Sequence, residues 1–476
     1  MFWKNFALLL LNNILSPIFS TVLVIVISRF HGLEIMGKYS LMTTVFVLGQ
    51  NCISLGFPIL ITREIAKSPI NAGKYYINSC MVSLGLLSMI LIFVFPTLYI
   101  FSEDAEIQFS MYLILLALIP SIFTMYAEAV LLGLERAEGF TLINLIENIS
   151  RVVSSTFFII FGYGIIAIAT ITLILRLISC FFLLSTIRKS GVRFTFRVNV
   201  LLCKELIQQI PVLGSIPIVN ALYSRADVFL ITWMRGLSDV GLYGASTRLV
   251  DLARLLPQAY GRAFYPLISR LYSQRQEAFQ QAFINASRTL LLVMFCITII
   301  MSGLADYFIV WLYGSTFQEA AMVLRLLAWT VIPYSLACIL AQILFATNHQ
   351  VLDLRVNIIA TFVSIGLNAL IIPSWGVIGA SCVSIISMTL YASIQYFYIS
   401  TRIVNPSLIS IFIKIGLVGL TGWTTIIIAL FLGWHPFLVG CTGLSVYTLG
   451  LLGCGALTQQ DFSAAYGLID SIVSRK

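Results

Sequence analysis

Apolar residues form runs of about 20 positions that recur along the whole chain, with short polar segments between them. Such runs fit α-helices that cross a bilayer, because a strand of a membrane barrel needs only about ten residues. The pattern predicts an all-α polytopic membrane protein with fourteen spans, which lie at about 6–28, 39–62, 76–101, 108–133, 143–162, 164–187, 207–233, 240–264, 284–313, 318–346, 356–373, 376–400, 409–432 and 436–456.

Lysine and arginine are distributed unevenly over the loops of this layout. Sixteen lie in loops on one side and three in loops on the other, and the remaining nine lie within spans. Cytoplasmic loops carry such an excess, so we expect a multi-pass protein of the cytoplasmic (inner) membrane with both termini in the cytoplasm. The net charge of +9 reflects this bias and does not indicate a nucleic-acid partner.

Composition argues against an enzyme. Hydrophobic residues make up 59% of the chain and charged residues 10%, whereas soluble domains carry about 25% charged residues. No two of the nine cysteines form a CxxC pair, the three histidines lie far apart, and no phosphate-binding loop occurs. We therefore expect no metal site, disulfide framework or cofactor.

A basic stretch at 188–206 divides the first twelve spans into two sets of six. The motif G-L-x-x-x-G-x-Y begins at Gly32 and again at Gly236, 204 residues later, and a second echo relates Asn144–Gly164 to Asn357–Gly376. We predict an N-terminal lobe (1–187), a cytoplasmic linker (188–206), a C-terminal lobe (207–402), and two extra helices with a tail (403–476). Equivalent spans cross in the same direction, so the repeat is parallel and suits alternating access. The alternative is that glycine and tyrosine simply favour membrane interfaces.

Short motifs carry a family resemblance. They are Lys4-Asn5-Phe6 through Ser28-Arg29, Gly37-x-Tyr39-Ser40, Leu55-Gly56 with Pro58, Arg225-Ala226-Asp227, Gly241-x-Tyr243 and Ala245-Ser246-Thr247-Arg248. Over roughly the first 400 residues the chain resembles the polysaccharide-biosynthesis (O-antigen) flippases of the multidrug/oligosaccharidyl-lipid/polysaccharide export superfamily. The resemblance implies a MATE-like fold of two six-helix lobes.

The resemblance also implies a function. It is the transfer of undecaprenyl-diphosphate-linked oligosaccharide repeat units across the cytoplasmic membrane for surface polysaccharides such as O-antigen or exopolysaccharide. The expected partners are the lipid-linked oligosaccharide, membrane lipids, a coupling ion (H⁺ or Na⁺), and a polysaccharide polymerase with its chain-length partner.

Ionisable residues inside the spans are the candidate binding groups, since their cost in lipid is tolerated mainly where they face a polar cavity. Span 8 places five polar side chains within an arc of about 120° that extends over about 21 Å. They are Arg248, Asp251, Arg254, Gln258 and Arg262. Arginine grips phosphate bidentately, so this stripe predicts a cationic wall for a diphosphate. The alternative is Arg–Asp pairing at i,i+3 that only joins helices.

The other candidates lie on spans 1, 5, 6, 7 and 10. They are Asn12, Glu147, Arg151, Arg176, Arg225, Asp227 and Arg325. Glu147 and Arg151 have the i,i+4 spacing of an ion pair on one helix. Arg176 has no acid one turn away on its own helix, which makes it a candidate for a cavity. Asp227 could pair with an arginine of span 8 or contact substrate.

Competing functions remain open. A cation-coupled multidrug exporter of the same superfamily would favour acidic cavity groups, whereas intramembrane arginines and lysines outnumber buried acids here. A flippase for the peptidoglycan-precursor lipid is a closer alternative, because its substrate also carries a diphosphate. A membrane glycosyltransferase would need catalytic acids in large loops, which this chain lacks.

Overall fold

A computed structural model describes residues 2–101, 104–192, 198–210, 214–274, 276–404 and 408–455. The α-helices are α1 (Phe2–Ser54), α2 (Phe57–Lys67), α3 (Ala72–Phe101), α4 (Ala105–Gly133), α5 (Ala137–Ile160), α6 (Ile165–Lys189), α7 (Val200–Gln209), α8 (Ser215–Arg235), α9 (Leu237–Gln274), α10 (Gln276–Gly303), α11 (Ala305–Tyr313), α12 (Ala320–Leu327), α13 (Val331–Ala346), α14 (Gln350–Arg402), α15 (Leu408–Phe431) and α16 (Pro436–Gly453). The described residues contain no strand. Part of the predicted linker (193–197) and the predicted tail beyond residue 455 lie outside them.

Ten of the described helical segments are long and apolar enough to cross a membrane. Two of them, in α1 and α14, each cover all or part of two predicted spans. The polar helices α8 and α9 correspond to spans 7 and 8, and with them the count reaches the predicted fourteen. The chain is therefore a multi-pass α-helical membrane protein.

Two predicted spans are broken. The prediction that span 2 (39–62) is a single helix is wrong. The backbone φ angles of Leu55 and Gly56 are 51° and 70°, and a new helix, α2, begins after them. This left-handed backbone cannot continue a right-handed helix. Span 9 (284–313) likewise ends at Gly303, and the short helix α11 follows.

The backbone confirms the first sequence echo. Gly32 has φ/ψ of 74°/−162° and Gly236 has 93°/−177°, so both glycines leave the helix in nearly the same conformation. A side chain would strain either position. In the second echo Gly376 has a φ of 54° whereas Gly164 has −79°, so that pair does not share a backbone conformation.

The chain divides into two compact units. Unit 1 comprises 1–248, 312–317 and 357–380, and unit 2 comprises 249–311, 318–356 and 381–476. Unit 1 therefore contains α1 of the first predicted lobe and α8 of the second. The lobe boundaries at 187, 206 and 402 stay a prediction.

Within unit 1 the two copies of the glycine motif pack against each other. A Cβ on Gly37 would lie 1.9 Å from the carbonyl oxygen of Leu237, and a Cβ on Gly241 would lie 2.2 Å from that of Leu33. A glycine of each motif thus packs against the backbone of the other motif, in agreement with the predicted pseudo-symmetry. We call this contact, made by Gly37 with Leu237 and Gly241 with Leu33, the glycine crossing.

Within unit 2 the two C-terminal helices pack on α10. Phe295 and Ile299 of α10 share a buried core with Ile426 of α15 and Tyr447 of α16. The indole nitrogen of Trp423 donates a hydrogen bond to Ser302 Oγ over 3.1 Å. The sequence left the role of these helices open, and here they extend the apolar core of unit 2.

One buried lysine joins α1 to the start of α4. Lys38 Nζ lies 2.7 Å from Asp104 Oδ2, 2.8 Å from Glu106 Oε2 and 3.3 Å from Glu34 Oε1, and its side chain is 7% exposed. Asp104 also caps α4 by accepting from the backbone N–H of Glu106 over 2.9 Å. The hydrogen bond from Lys38 lowers the pKa of Asp104, so this stabilisation is present at neutral pH and is lost as the pH falls through the lowered value.

We expect Lys38→Met to lower the stability of the purified protein by about 3 kcal/mol or more, because three carboxylates lose their common cation. Lys67→Met is the matched control. Lys67 also binds a glutamate, Glu64, over 3.1 Å, but its side chain is 63% exposed, and such pairs contribute less than about 1 kcal/mol. Thermal unfolding in detergent compares the two variants, and equal melting temperatures would contradict a structural role for Lys38.

Candidate functional site

The polar face of α5 is held by hydrogen bonds to its neighbours in unit 1. Asn148 Nδ2 donates to Ser16 Oγ of α1 over 2.7 Å, and Ser16 Oγ donates to Asn12 Oδ1 over 3.4 Å. Asn144 Nδ2 donates to Glu128 Oε1 of α4 over 3.0 Å. Asn12 thus supports Ser16, which makes the contact between α1 and α5.

Glu147 forms its ion pair with a neighbouring helix. Arg176 Nε of α6 lies 3.3 Å from Glu147 Oε1, and the two side chains are 18% and 4% exposed. Arg151 instead donates a hydrogen bond to Asn148. The prediction that Glu147 pairs with Arg151 is therefore wrong, because Glu147 pairs with Arg176 of α6 instead. Arg176 also lies over the Phe46 ring, 5.8 Å from its centre.

Arg248 completes a positively charged cluster in unit 1. It is half-buried on α9, and its charge and that of Arg176 both act repulsively on Arg151. Among the described residues Arg248 has neither an ion pair nor a hydrogen bond. Among the residues that the structure describes, the acids that act on this group are Glu147 and Glu128. We call Arg151, Arg176 and Arg248 the arginine cluster, and it keeps at least one uncompensated positive charge even when both glutamates are ionised.

Asp227 is bonded to a tyrosine of the second glycine motif. Its carboxylate accepts a hydrogen bond from Tyr243 of α9, and it also accepts from the backbone N–H of Val228 over 2.8 Å. Arg225, two residues earlier, is half-buried. Asp227 therefore joins α8 to α9 within unit 1.

The rest of the span 8 stripe lies in unit 2, where Arg254 and Gln258 contact the first turn of α13 and the residue before it. Arg254 lies 3.4 Å from Asp251, donates to Thr330 Oγ1 over 3.0 Å and covers the Tyr334 ring at 5.0 Å. Gln258 Nε2 donates to Tyr334 Oη over 2.8 Å. These contacts match the alternative in which Arg254 and Asp251 join helices.

Arg262 and Arg325 lie apart from these contacts. Arg262 is exposed, and Arg325 is paired with Asp306 near the start of α11. The predicted site residues therefore fall into several groups. The structure brings together Glu147, Arg151, Arg176 and Arg248, and it links Asn12 to α5 through Ser16.

Sequence reasoning missed a buried polar stripe on the first limb of α14. It consists of Asn357, Thr361, Ser364 and Asn368, which are 1–9% exposed. Asn357 donates a hydrogen bond to Asn220 of α8, also in unit 1. The i, i+4, i+7, i+11 spacing of polar residues in an apolar run was the available signal.

Comparison with known proteins bears on this site. The family model "Polysaccharide biosynthesis protein" matches residues 2–272, more than half of the chain. The chain belongs to this family. A MatE model also matches residues 216–370, which agrees with membership of the multidrug/oligosaccharidyl-lipid/polysaccharide export superfamily.

Curated relatives of this polysaccharide biosynthesis protein include two with informative names. The probable low-salt glycan biosynthesis flippase Agl15 of Haloferax volcanii is 27% identical over 231 residues, which is 48% of each chain. The capsular polysaccharide biosynthesis protein CapF of Staphylococcus aureus is 21% identical over 411 residues, which is 84% of this chain and 99% of CapF. The match to Agl15 thus spans about half of that relative's length.

Solved structures show the same fold as this family member. The lipid II flippase MurJ in an inward closed conformation gives a TM-score of 0.73 at 16% identity and covers 92% of this chain and 97% of its own. An inward-facing multidrug resistance MATE family transporter gives 0.70 at 16% identity and covers 81% and 94%. The MATE-like fold expected from the sequence is confirmed.

Proposed function

We propose that this protein is a polysaccharide-precursor flippase that moves undecaprenyl-diphosphate-linked oligosaccharide repeat units across the cytoplasmic membrane. The observation that carries the proposal is the arginine cluster, a positively charged group on spans 5, 6 and 8 whose member Arg248 has no partner among the described residues. An anion in a membrane protein gains most from a cation that is partly desolvated and unpaired. The glycan-biosynthesis names of the relatives support a lipid-linked sugar as the carrier of that anion.

Each part of the cluster has a role in this proposal. Arg248 binds the diphosphate first, since no internal bond has to be broken. Arg151 and Arg176 add positive charge from α5 and α6, while Glu147 holds Arg176 in place. The oligosaccharide follows the diphosphate through the polar helix faces, and the prenyl chain stays in lipid.

The glycine crossing supplies the barrier that must open. The positive-inside bias orients the chain so that Gly37 and Gly241 lie on the outer side, with both termini in the cytoplasm. In the present structure the crossing is closed. Release to the outer leaflet then requires α1 and α9 to separate at this contact, and its close backbone packing makes the closed state well defined.

A translocation assay with purified protein in vesicles tests the proposal. A lipid-linked oligosaccharide is placed in the membrane, and its exposure to an impermeant sugar-oxidising reagent is followed. We expect the protein to accelerate exposure of the diphosphate-linked substrate. A matched carrier with a single phosphate should move more slowly, because the cluster loses one anionic group.

Two comparison substrates separate the alternatives in the same vesicles. If the peptidoglycan-precursor lipid moves faster than the repeat unit, the precursor is the substrate. The arginine cluster would still be the diphosphate-binding site. Preferred movement of an organic cation such as ethidium would contradict the proposal, since the arginine cluster repels it. Complementation of a strain blocked in surface polysaccharide export provides the cellular counterpart.

A further inference from the structure

Asp353 lies at the start of α14 in unit 2, beside the second limb of the same helix. Tyr391 Oη donates a hydrogen bond to Asp353 Oδ1 over 2.8 Å, and Gln395 Nε2 donates to the same oxygen over 2.5 Å. These partners are 38 and 42 residues further along the chain, so the two limbs lie side by side after the bend at Gly376. The carboxylate therefore fixes the packing of one limb on the other.

The carboxylate of Asp353 is held by uncharged donors. Two other acids of unit 2 pair with arginine, Asp251 with Arg254 and Asp306 with Arg325. Among the described residues no lysine or arginine forms an ion pair with Asp353, and its Oδ2 has no hydrogen-bond partner. A half-buried carboxylate without a cation favours its protonated form.

Gln395 gives a second, independent indication. Its side chain is 0% exposed, and its Oε1 is a buried acceptor without a partner among the described residues. A buried carbonyl oxygen without a donor is destabilising, so a donor supplied at this position would be stabilising. A proton on Asp353 would supply the missing donor after a rotation of the neighbouring amide.

The titratable groups around Asp353 come from each packed element. Cys338 of α13 is close enough to interact electrostatically with Asp353. His349, four residues before Asp353, stacks edge-on against Tyr398 of the second limb with ring centres 5.6 Å apart. Arg254 and Arg262 act on Cys338. Within the described part of the chain, none of these groups forms an ion pair with Asp353.

We propose that Asp353, framed by Tyr391 and Gln395, is a proton-binding site of this transporter, and its role in the transport cycle rests on the proposed flippase function. The proton comes from water and adds to Oδ2 of the ionised carboxylate. In the ionised state Gln395 Nε2 donates to Asp353, and in the protonated state the carboxyl O–H donates to Gln395 Oε1. Proton uptake thereby changes the bond between the two limbs of α14.

Infrared difference spectroscopy on the full chain in phosphatidylethanolamine–phosphatidylglycerol vesicles tests this site. The spectrum of the wild type minus that of Asp353→Asn should contain a carboxylic-acid C=O band at a pH where exposed aspartates are ionised. Asp306→Asn, which removes an arginine-paired acid, should leave that band in place. Absence of the band, or a titration like that of an exposed aspartate, would overturn the proposal.

Tyr391→Phe provides a second variant that keeps Asp353. It removes a donor that bonds the ionised carboxylate more strongly than the neutral acid, so the titration of the band should move to higher pH. An unchanged titration would contradict the geometry. If replacing choline with Na⁺ removes the band over the whole pH range, the site holds sodium instead of a proton and the proposal is wrong.

A transport measurement links the site to function. Acceleration of translocation by an imposed proton gradient should be lost in Asp353→Asn, and substrate binding should persist. If translocation by Asp353→Asn still responds to the proton gradient, Asp353 has no role in the transport cycle. The infrared titration needs no oligosaccharide, so it gives its answer even if the lipid-linked substrate proves wrong.

Discussion

Gly37→Ala is expected to reduce translocation by about tenfold or more while the protein still inserts and folds. The added Cβ would lie 1.9 Å from a backbone oxygen and 2.7 Å from a backbone carbon of Leu237. No side chain can move aside to relieve this contact, so the closed glycine crossing itself is penalised. Overpacking costs about 1–3 kcal/mol, and each 1.4 kcal/mol changes a population ratio about tenfold.

Gly241→Ala should have a similar effect, because its Cβ would lie 2.2 Å from the carbonyl oxygen of Leu33. Gly85→Ala is the matched control, since Gly85 also lies within a helix but has open space where its Cβ would be. This control should transport normally. Normal translocation by both crossing variants would show that the closed contact is not part of the cycle.

A thiol probe distinguishes loss of closure from general damage. Ser40 packs against Gly244 beside the crossing, where a Cβ on Gly244 would lie 2.2 Å from Ser40 Oγ. Ser40→Cys, placed in a chain without the nine native cysteines, should react slowly with an impermeant thiol reagent. Reaction should become faster when Gly37→Ala is added. An unchanged rate would mean that the crossing stays closed despite the added methyl group.

The crossing shows what sequence could and could not predict. The repeated motif identified Gly37 and Gly241 as equivalent, and the apolar runs identified the spans. Mutual contact between the two motifs depends on how distant helices pack, which no local pattern contains. The break at Leu55 was missed for a different reason, because hydropathy continues through the left-handed turn without interruption.

The partners of charged groups also depend on contacts between distant helices. Helical periodicity placed Glu147 and Arg151 on one face of α5, but it could not show that Arg176 of α6 offers the better partner. Asp353 was missed because it precedes the apolar run of its span. Its significance comes from Tyr391 and Gln395, which reach it only after the chain has turned back. Residue type and spacing thus predicted candidates, and partners separated by many residues decided their environment.

Arg248→Glu is expected to abolish translocation, with a loss of about 100-fold or more, and to leave stability unchanged or slightly increased. Losing a desolvated charge contact costs about 2–5 kcal/mol, and reversal adds repulsion between the new carboxylate and the diphosphate. The effect on stability has the opposite sign. The positive charge of Arg248 acts repulsively on Arg151, and the variant removes that repulsion.

This combination separates a binding role from a structural one. Arg176→Glu would also stop transport, but it leaves Glu147 buried beside a second carboxylate, which costs about 3–5 kcal/mol of stability. Failure of that variant would be ambiguous, whereas failure of a stable Arg248→Glu protein would not. Arg248→Lys should keep part of the activity, because it retains the charge and loses bidentate contact with phosphate.

Arg262→Glu is the matched control on the same helix, since Arg262 is exposed in unit 2. The measurements are translocation in vesicles, binding of the diphosphate carrier and thermal unfolding of the same preparations. If Arg248→Glu transports like the wild type, the arginine cluster is not the anion site. If Arg248→Glu fails only because the protein unfolds, then Arg248 contributes to packing. In that case repulsion within the arginine cluster does not determine how the variant changes stability.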